Sequence, residues 1–457
     1  MKAHRASSAH IARKASPARR AAFEILRRVE DEEAFAAPLL ASVAEELRAD
    51  DRALCYELVL GCLRRQLWLD RLMEHLAGRA AAEIDAPARR ALRLGLYQLR
   101  FLSRVPASAA VNESVNLVHE ARLRSAAGFV NAVLRRSTRE PEWNPAANIS
   151  DEVERVAVET SHPSWLVGRW MRAFGAEAAS AFARANNETP PVGFRVNRLR
   201  ATGDEVLARL GAAGVVAEAS RIAPDGWRVR GGSGGALLRE LASEGVIYMQ
   251  DEASQLVAHV LGAGAGERVL DACAAPGSKT THIALLGGDG VRVVAGDRWA
   301  HRLRLVNETA ARLGLQNIRT VVLDAEEALP FADESFDRAL VDAPCTGTGT
   351  LRHNPEIRWR ITPTDITELA AKQQRILSRV ARTVRPGGRL VYSTCSVELE
   401  ENEEVINAFL AAHKDFRQVA AKPAADNLVS GSGAARTWPQ TDGVDGFFVV
   451  AFERVFS

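Results

Sequence analysis

The sequence predicts a chain of three domains: an all-helical N-terminal domain, a small α+β linking domain and an α/β C-terminal domain. Apolar residues recur at helical spacing throughout residues 18–138, without strand-like alternation. From residue 245 onward, strand patterns alternate with helix patterns, as is typical of a doubly wound, mainly parallel sheet. We therefore place the domains at residues 1–145, 146–240 and 241–457.

In the first domain, helical spacing is clearest in AAFEILRRV, in RALCYELVLGCLRRQLWLDRLMEHL and in ARRALRLGLYQLRFL. Pro87 and Pro106 fall between such segments, where helices should end. Residues 1–30 hold eight Lys or Arg against two Glu, a net charge of eight minus two, or +6. That charge suits a polyanion such as RNA, although a solvated tail is the alternative.

In the linking domain, GFRVNRL and GWRVRG are predicted strands and GDEVLARLGAAG a predicted helix. The C-terminal domain has seven candidate strands. They are ERVLDAC, RVVAGD, IRTVVLD, FDRALVDAP, RLVYSTC, DFRQV and GFFVVAFERV. Helical segments separate the first five strands, whereas the last two are expected to pair antiparallel.

Composition excludes several classes of protein. No run of 18 apolar residues is present, so we expect no transmembrane helix. The basic N-terminus lacks the apolar stretch of a secretory signal. The five cysteines are odd in number, widely spread and without a CxxC pair, which favours free thiols in the cytoplasm over disulfides or a zinc site.

The first predicted strand of the C-terminal domain runs into the turn of DACAAPGSKTTH, residues 271–282. A phosphate-binding Walker loop requires glycine at positions 273 and 278, where this chain has Cys273 and Ser278. The dinucleotide fingerprint GxGxxG also fails, because the turn contains one glycine. The turn therefore favours a different nucleoside ligand.

Four aspartates end the first four predicted strands: Asp271, Asp297, Asp324 and Asp342. Strand carboxyl ends line the ligand crevice of a doubly wound sheet, and an acid about twenty residues past the first turn commonly binds ribose. Asp297 has that spacing, and Asp324 could accept from an adenine amino group. Four carboxylates would repel pyrophosphate but suit a cationic nucleoside such as S-adenosylmethionine.

Two further stretches each place a cysteine just after a strand: DAPCTGTGTLRHNPEIRW, with Cys345, and YSTCSVELEENE, with Cys395. We interpret Cys55 and Cys62, which lie in helical patterns, as small buried apolar residues. Cys345 and Cys395 belong to the ligand end of the sheet, where thiols can act as nucleophiles.

Three motifs, DACAAPGSKTTH, DAPCTGTG and YSTCS, resemble motifs I, IV and VI of the NOL1/NOP2/Sun family of RNA cytosine-5 methyltransferases, across roughly residues 245–455. The family usually has PGGKT where this chain has PGSKT, and Ser278 should be tolerated if its φ is negative. In the first domain, AAVNESVNLVHE and GFVNAVLRR look like the NusB-type RNA-binding helical domain.

The resemblance implies a Rossmann-like class I methyltransferase domain that uses S-adenosylmethionine to methylate carbon 5 of a cytosine in small-subunit (16S) ribosomal RNA. It implies Cys395 as the nucleophile, Cys345 as the group for release, and Asp342 on the Watson–Crick edge of the base. Lys279 would help to orient base or cofactor. The cofactor would lie against the residues Cys273, Ala274, Ala275, Pro276, Gly277, Ser278, Lys279, Asp297, Asp324 and Asp342.

Two alternatives stay open at this point. The chain could methylate tRNA or another RNA, since no residue names the nucleotide, or it could be a non-catalytic RNA-binding assembly factor. A target base must be unstacked, so an RNA loop or a partly unfolded region is the expected partner. We expect a monomer in the cytoplasm that contacts no membrane and needs no metal.

Overall fold

The computed structural model describes the chain in three stretches, residues 14–43, 46–231 and 235–456. Part of the predicted basic N-terminal segment lies outside the described residues, namely Lys2, Arg5 and Arg13. Across those three stretches, no helix is both long enough and apolar enough to cross a bilayer.

The described chain forms two compact units. The first consists of the residues up to Asn187 together with the segment Leu351–Arg360. The second consists of Glu188–Thr350 and the residues from Ile361 onward. The stretch DAPCTGTGTLRHNPEIRW is therefore divided between them after Thr350.

The first unit is helical, as the spacing of apolar residues predicts. Its helices are α1 (Pro17–Asp31), α2 (Ala36–Val43), α3 (Ala49–Arg64), α4 (Gln66–Ala77), α5 (Ala86–Phe101), α6 (Ala107–Glu120), α7 (Ala127–Arg139), α8 (Glu152–Thr160), α9 (Ser164–Phe174) and α10 (Ala176–Ala185). Pro106 precedes α6, as expected. Pro87, which was expected between helices, lies in the first turn of α5, where a missing N–H costs no hydrogen bond.

The second unit begins with a four-stranded antiparallel sheet in the order β2-β3-β1-β4. Its elements are β1 (Val192–Val196), α11 (Gly203–Ala212), β2 (Val216–Ala219), β3 (Gly226–Gly231), α12 (Gly235–Ser243) and β4 (Ile247–Met249). A capping box between Thr202 and Glu205 starts α11. The predicted strands and helix of this region are confirmed, and β2, β4 and α12 add to them.

A large mixed sheet follows, in the order β10-β12-β9-β8-β5-β6-β7, and a short β11 pairs with β12. Its strands are β5 (Arg268–Asp271), β6 (Arg292–Asp297), β7 (Ile318–Val322), β8 (Phe336–Asp342), β9 (Val384–Thr394), β10 (Phe416–Val419), β11 (Ala435–Thr437) and β12 (Phe447–Arg454). The seven predicted strands are confirmed, and β10 pairs antiparallel with β12 as expected. The sequence did not predict β11.

Helices cover both faces of this sheet. They are α13 (Glu252–Leu261), α14 (Ser278–Gly287), α15 (Ala300–Leu313), α17 (Pro363–Ala381), α18 (Glu403–Ala412) and α19 (Pro439–Asp442), whereas α16 (Ile357–Arg360) belongs to the first unit. One core lies under α13, α14 and α15, and a second lies under α17 and α18. Strands β5 to β9 run parallel, so their carboxyl ends meet at one edge of the sheet.

Candidate active site

The turn after β5 depends on Gly277. This residue has a φ of 105° and caps the N-terminus of α14. A β-carbon at this position would lie 3.1 Å from the α-carbon of Val306 in α15, so the turn requires glycine for both conformation and space. Ser278 is the first residue of the helix and has no positive φ, so the serine that replaces the family's usual glycine is tolerated.

A cavity of about 360 Å³ opens at the carboxyl ends of the parallel strands. Among the predicted site residues, it is lined by Cys273, Ala275, Asp297, Asp324, Asp342, Cys345 and Cys395. The remaining predicted loop residues do not line it: Ala274, Pro276, Gly277, Ser278 and Lys279. The structure therefore brings both cysteines of the second unit's strand-end motifs and three predicted acids to one cavity.

The expectation that four strand-end carboxylates share the cavity is wrong for Asp271. Its side chain is fully buried beneath the turn, where one oxygen accepts a hydrogen bond of 2.7 Å from Thr280 Oγ1. Burial raises the pKa of Asp271 to about 7, with a further contribution from the nearby Asp342 carboxylate. Asp271 supports the turn from below.

Asp297 and Asp324 keep acceptor capacity toward the cavity. Asp297 is 5% exposed; its Oδ1 accepts from the backbone N–H of Trp299 at 3.0 Å, and its Oδ2 lies 3.5 Å from Arg302. Asp324 Oδ1 accepts from the backbone N–H of Glu326, and its Oδ2 lies 3.3 Å from Arg298. Each carboxylate is thus fixed through one oxygen, while its other oxygen has a longer contact.

Asp342, which is partly exposed to the cavity, forms an ion pair with the buried Lys279. Lys279 Nζ lies 2.7 Å from Asp342 Oδ2, and Ser393 Oγ donates to Asp342 Oδ1 at 2.8 Å. Burial disfavours the Lys279 cation, but the Asp342 carboxylate outweighs burial and raises the pKa of Lys279. Phe447 adds a cation–π contact at 5.0 Å from Nζ. Lys279 therefore reaches the cavity through Asp342 and not by lining it.

The two cysteine sulfurs lie side by side. Cys345 Sγ and Cys395 Sγ are 3.3 Å apart, within hydrogen-bonding distance for thiols, and both residues line the cavity. The hydrogen bond with Cys395, together with burial, raises the pKa of the Cys345 thiol. Cys55 and Cys62 lie instead in the helical core of the first unit, where burial raises the pKa of Cys55 to about 11. The prediction that Cys55 and Cys62 are small buried apolar residues agrees with their position in this core.

Sequence reasoning missed several residues that line the cavity, among them Trp299, Arg302 and Lys372. Trp299 is 52% exposed and lies two residues after Asp297. A tryptophan two residues after a strand-end acid was a signal that could have been used, because exposed aromatic residues commonly serve in binding. Lys372 lies in α17 and is paired with Glu326, and no local pattern distinguishes it from other helix-surface lysines.

Three family models match successive parts of the chain. "NusB family" matches residues 16–139, "Methyltr_RsmF/B-like, ferredoxin-like domain" matches residues 162–234, and "16S rRNA methyltransferase RsmB/F" matches residues 258–453.

Whole-chain relatives agree with these matches. The probable ribosomal RNA small subunit methyltransferase B of Bacillus subtilis (strain 168) is 37% identical over 442 residues, which are 95% of this chain and 98% of that protein. The crystal structure of PH0851 has a TM-score of 0.82 at 29% identity and covers 97% of this chain and 100% of that one. A methyltransferase homolog protein from Pyrococcus horikoshii has a TM-score of 0.58 at 28% identity, over 67% of this chain and 100% of that one.

Proposed function

This chain belongs to the RsmB/F family of 16S rRNA methyltransferases, and we propose that it methylates carbon 5 of a specific cytosine in that RNA through a covalent cysteine adduct. It is an rRNA methyltransferase with S-adenosylmethionine as its cofactor, like the methyltransferases related to it. The pair of thiols carries the proposal, because Cys345 and Cys395 face one cavity with their sulfurs 3.3 Å apart.

The residues around the cavity fit this cofactor. Asp297, Asp324 and Asp342 place three carboxylates in a wall that also holds Arg298, Arg302 and Lys372. Carboxylate oxygens accept from ribose hydroxyls and suit a sulfonium cation. We assign Asp297 to the ribose, Asp324 to the adenine and Asp342 to the methionine end, with the turn at residues 273–279 as the supporting loop. When bound, S-adenosylmethionine supplies the methyl group that carbon 5 takes up.

Carbon 5 of cytosine is a poor nucleophile until a thiolate adds to the neighbouring carbon 6. We assign this attack to Cys395: its sulfur bonds to carbon 6, and the electrons of the ring double bond shift toward carbon 5. Asp342 would hold the Watson–Crick edge of the base by accepting from its amino group. Lys279 supports this role, because its ion pair holds the Asp342 carboxylate in place.

Release needs a proton acceptor close to the same ring carbons, and we assign it to Cys345. The carbon 5 proton leaves to the Cys345 sulfur, the ring double bond re-forms, and the bond between carbon 6 and Cys395 breaks. Because the pKa of Cys345 is raised, its thiol must first pass its own proton to solvent, and the thiolate that results is then a strong acceptor for the carbon 5 proton. A non-catalytic assembly factor would have no need for two adjacent thiols in a cavity.

We further propose that the first 145 residues bind RNA, that residues 146–240 link them to the catalytic domain at 241–457, and that the protein acts as a cytoplasmic monomer. The target cytosine must leave its stack to reach the cavity, which favours a loop or an unfolded region of the RNA.

The proposal is tested by incubating the protein with methyl-labelled S-adenosylmethionine and either naked 16S rRNA or tRNA. Mass spectrometry of the digested RNA should find the label in 5-methylcytidine from one 16S rRNA fragment, and Cys395→Ala should abolish it. Label in a different nucleoside contradicts the cytosine assignment, and label in tRNA alone contradicts the choice of RNA.

A further inference from the structure

A buried carboxylate, that of Glu401, lies between the two loops that carry the active-site cysteines. Glu401 is fully buried and does not line the cavity. Its Oε1 accepts hydrogen bonds of 2.9 Å from the Thr346 backbone N–H and from Gln373 Nε2. Its Oε2 accepts from the hydroxyls of Thr346, at 2.5 Å, and of Ser396. Four donors from three segments of the chain therefore converge on one carboxylate.

The positions of these donors connect Glu401 to the reaction. Thr346 directly follows Cys345, and Ser396 directly follows Cys395. The two hydroxyls also lie 3.1 Å from each other. A single carboxylate thus holds the residue next to each thiol and fixes one loop relative to the other.

The rest of the contacts around Glu401 make this arrangement rigid. The Gly349 N–H donates to the Cys395 carbonyl at 2.9 Å, so the loops also share a backbone bond. Tyr392, at the end of β9, donates to the Glu401 carbonyl at 2.6 Å. Burial raises the pKa of Glu401, while the hydroxyl and amide donors favour its ionised form. An isolated buried carboxylate is costly, and this one is stabilised because every contact that is described around it donates a hydrogen bond.

We propose that Glu401 is a positioning residue that sets the separation of the Cys345 and Cys395 thiols, so that attack and release act on neighbouring carbons of one cytosine. This inference rests on the covalent mechanism proposed above. Attack at carbon 6 and proton removal at carbon 5 require two sulfurs at a defined spacing. A misplacement of about 1 Å can cost roughly 100-fold in rate, so a rigid link between the two loops has a direct effect on turnover.

The test separates the two hydroxyl hydrogen bonds by which Glu401 connects the cysteine loops. Thr346→Val removes the hydroxyl on the Cys345 side, and Ser396→Ala removes the one on the Cys395 side. Single-turnover reactions with RNA, followed on denaturing gels, give the rate at which the protein–RNA adduct forms and the rate at which it resolves. We expect Thr346→Val to slow resolution about 10-fold, with adduct accumulating, and Ser396→Ala to slow formation about 10-fold with less adduct.

Glu401→Ala removes the acceptor for both hydroxyls and should slow adduct formation and adduct resolution about 100-fold each. Glu401→Gln keeps the shape of the side chain and should recover much of that loss of rate. Affinity for S-adenosylmethionine, measured by calorimetry, should stay unchanged in all variants. The matched control is Glu267→Gln, which removes the charge of a carboxylate that binds Arg338 and the Gly264 N–H before β5, at the opposite end of the sheet. Thermal unfolding of every variant compares the losses of stability.

The two proposals fail in different ways. If Cys345→Ala traps RNA, but Thr346→Val and Ser396→Ala slow neither step more than the Glu267→Gln control, the positioning role is wrong and the covalent mechanism stands. Equal slowing of both steps by both substitutions contradicts the positioning role in the same way. If Cys345→Ala and Cys395→Ala both remain active without any adduct, the covalent mechanism is wrong and the positioning role falls with it.

Discussion

Replacing Asp297 with alanine is expected to weaken S-adenosylmethionine binding without unfolding the protein. Asp297 is 5% exposed, so its carboxylate acts in a poorly solvated wall of the cavity. Its Oδ1 is occupied by the Trp299 N–H, whereas the 3.5 Å distance from Oδ2 to Arg302 leaves that oxygen able to accept a ligand hydroxyl. A lost hydrogen bond to a charged group costs about 1.5–3 kcal/mol. The dissociation constant should therefore rise about 10- to 150-fold.

Isothermal titration calorimetry measures this change directly. Asp297→Asn keeps an acceptor for the Trp299 N–H and should fall between the wild-type protein and the alanine variant. Asp289→Ala is the matched control, because Asp289 is an exposed carboxylate just before β6, at the opposite end of the sheet. An unchanged affinity in Asp297→Ala would refute the assignment of Asp297 to the ribose.

Three further predictions concern the turn, the carboxylate of Asp271 beneath it and the carboxylate of Asp342 in the cavity. Gly277→Ala should reduce the free energy of cofactor binding, measured by calorimetry, by at least as much as it reduces the free energy of unfolding. The reason is that alanine disfavours a φ of 105° and its β-carbon would crowd Val306. Unchanged binding would show that the turn can shift freely. Asp342→Ala should lower the free energy of unfolding by about 3–5 kcal/mol, because it leaves the Lys279 cation buried and unpaired. Adding Lys279→Met to the same protein should recover most of that loss. A double variant that is no more stable than Asp342→Ala alone contradicts this reasoning. The folded protein binds a proton at Asp271 more tightly than the unfolded chain does, so the free energy of unfolding should fall by up to about 4 kcal/mol as the pH rises from about 4 to about 7. Calorimetric melting of Asp271→Asn should lack this part of the pH dependence. An identical pH dependence in both proteins would exclude Asp271 as its source.

The fold was largely predictable because its long elements have strong periodicity. The predicted strand RVVAGD coincides with β6, and GWRVRG coincides with β3. The strands that were missed, β2, β4 and β11, have only three or four residues each, too few for alternation to appear. The predicted strand RLVYSTC starts later than the observed strand, since β9 begins at Val384. The prediction missed these first residues because they include a Pro-Gly-Gly sequence, which indicates a turn.

The site was predictable where its residues are adjacent in sequence, and not where the fold brings them together. The strand-end positions of Asp297, Asp342, Cys345 and Cys395 followed from local patterns. The ion pair between Lys279 and Asp342 did not, because it joins the first turn of α14 to the end of β8. The hydrogen bonds to Glu401 are equally invisible in the sequence, since they depend on the register of β8 beside β9.

The segment Leu351–Arg360 is the clearest case of tertiary context overriding sequence order. It continues the cysteine-containing stretch that begins at Asp342, yet it packs within the helical first unit. Arg358 is fully buried there and donates to the backbone carbonyls of Ser161 and Asn186. No local sequence pattern indicates that the chain passes from the second unit to the first at this point.

The central claim, a covalent mechanism shared between two thiols, is tested most directly by trapping the adduct. Cys345→Ala and Cys395→Ala are each incubated with S-adenosylmethionine and 16S rRNA, and the products are separated by denaturing gel electrophoresis. Cys345→Ala should accumulate a protein–RNA species that survives denaturation, because attack continues and release is slow, whereas Cys395→Ala should give neither adduct nor methylation. If Cys395→Ala is the variant that traps RNA, the two roles are reversed, and if both variants methylate normally without an adduct, the covalent mechanism is contradicted.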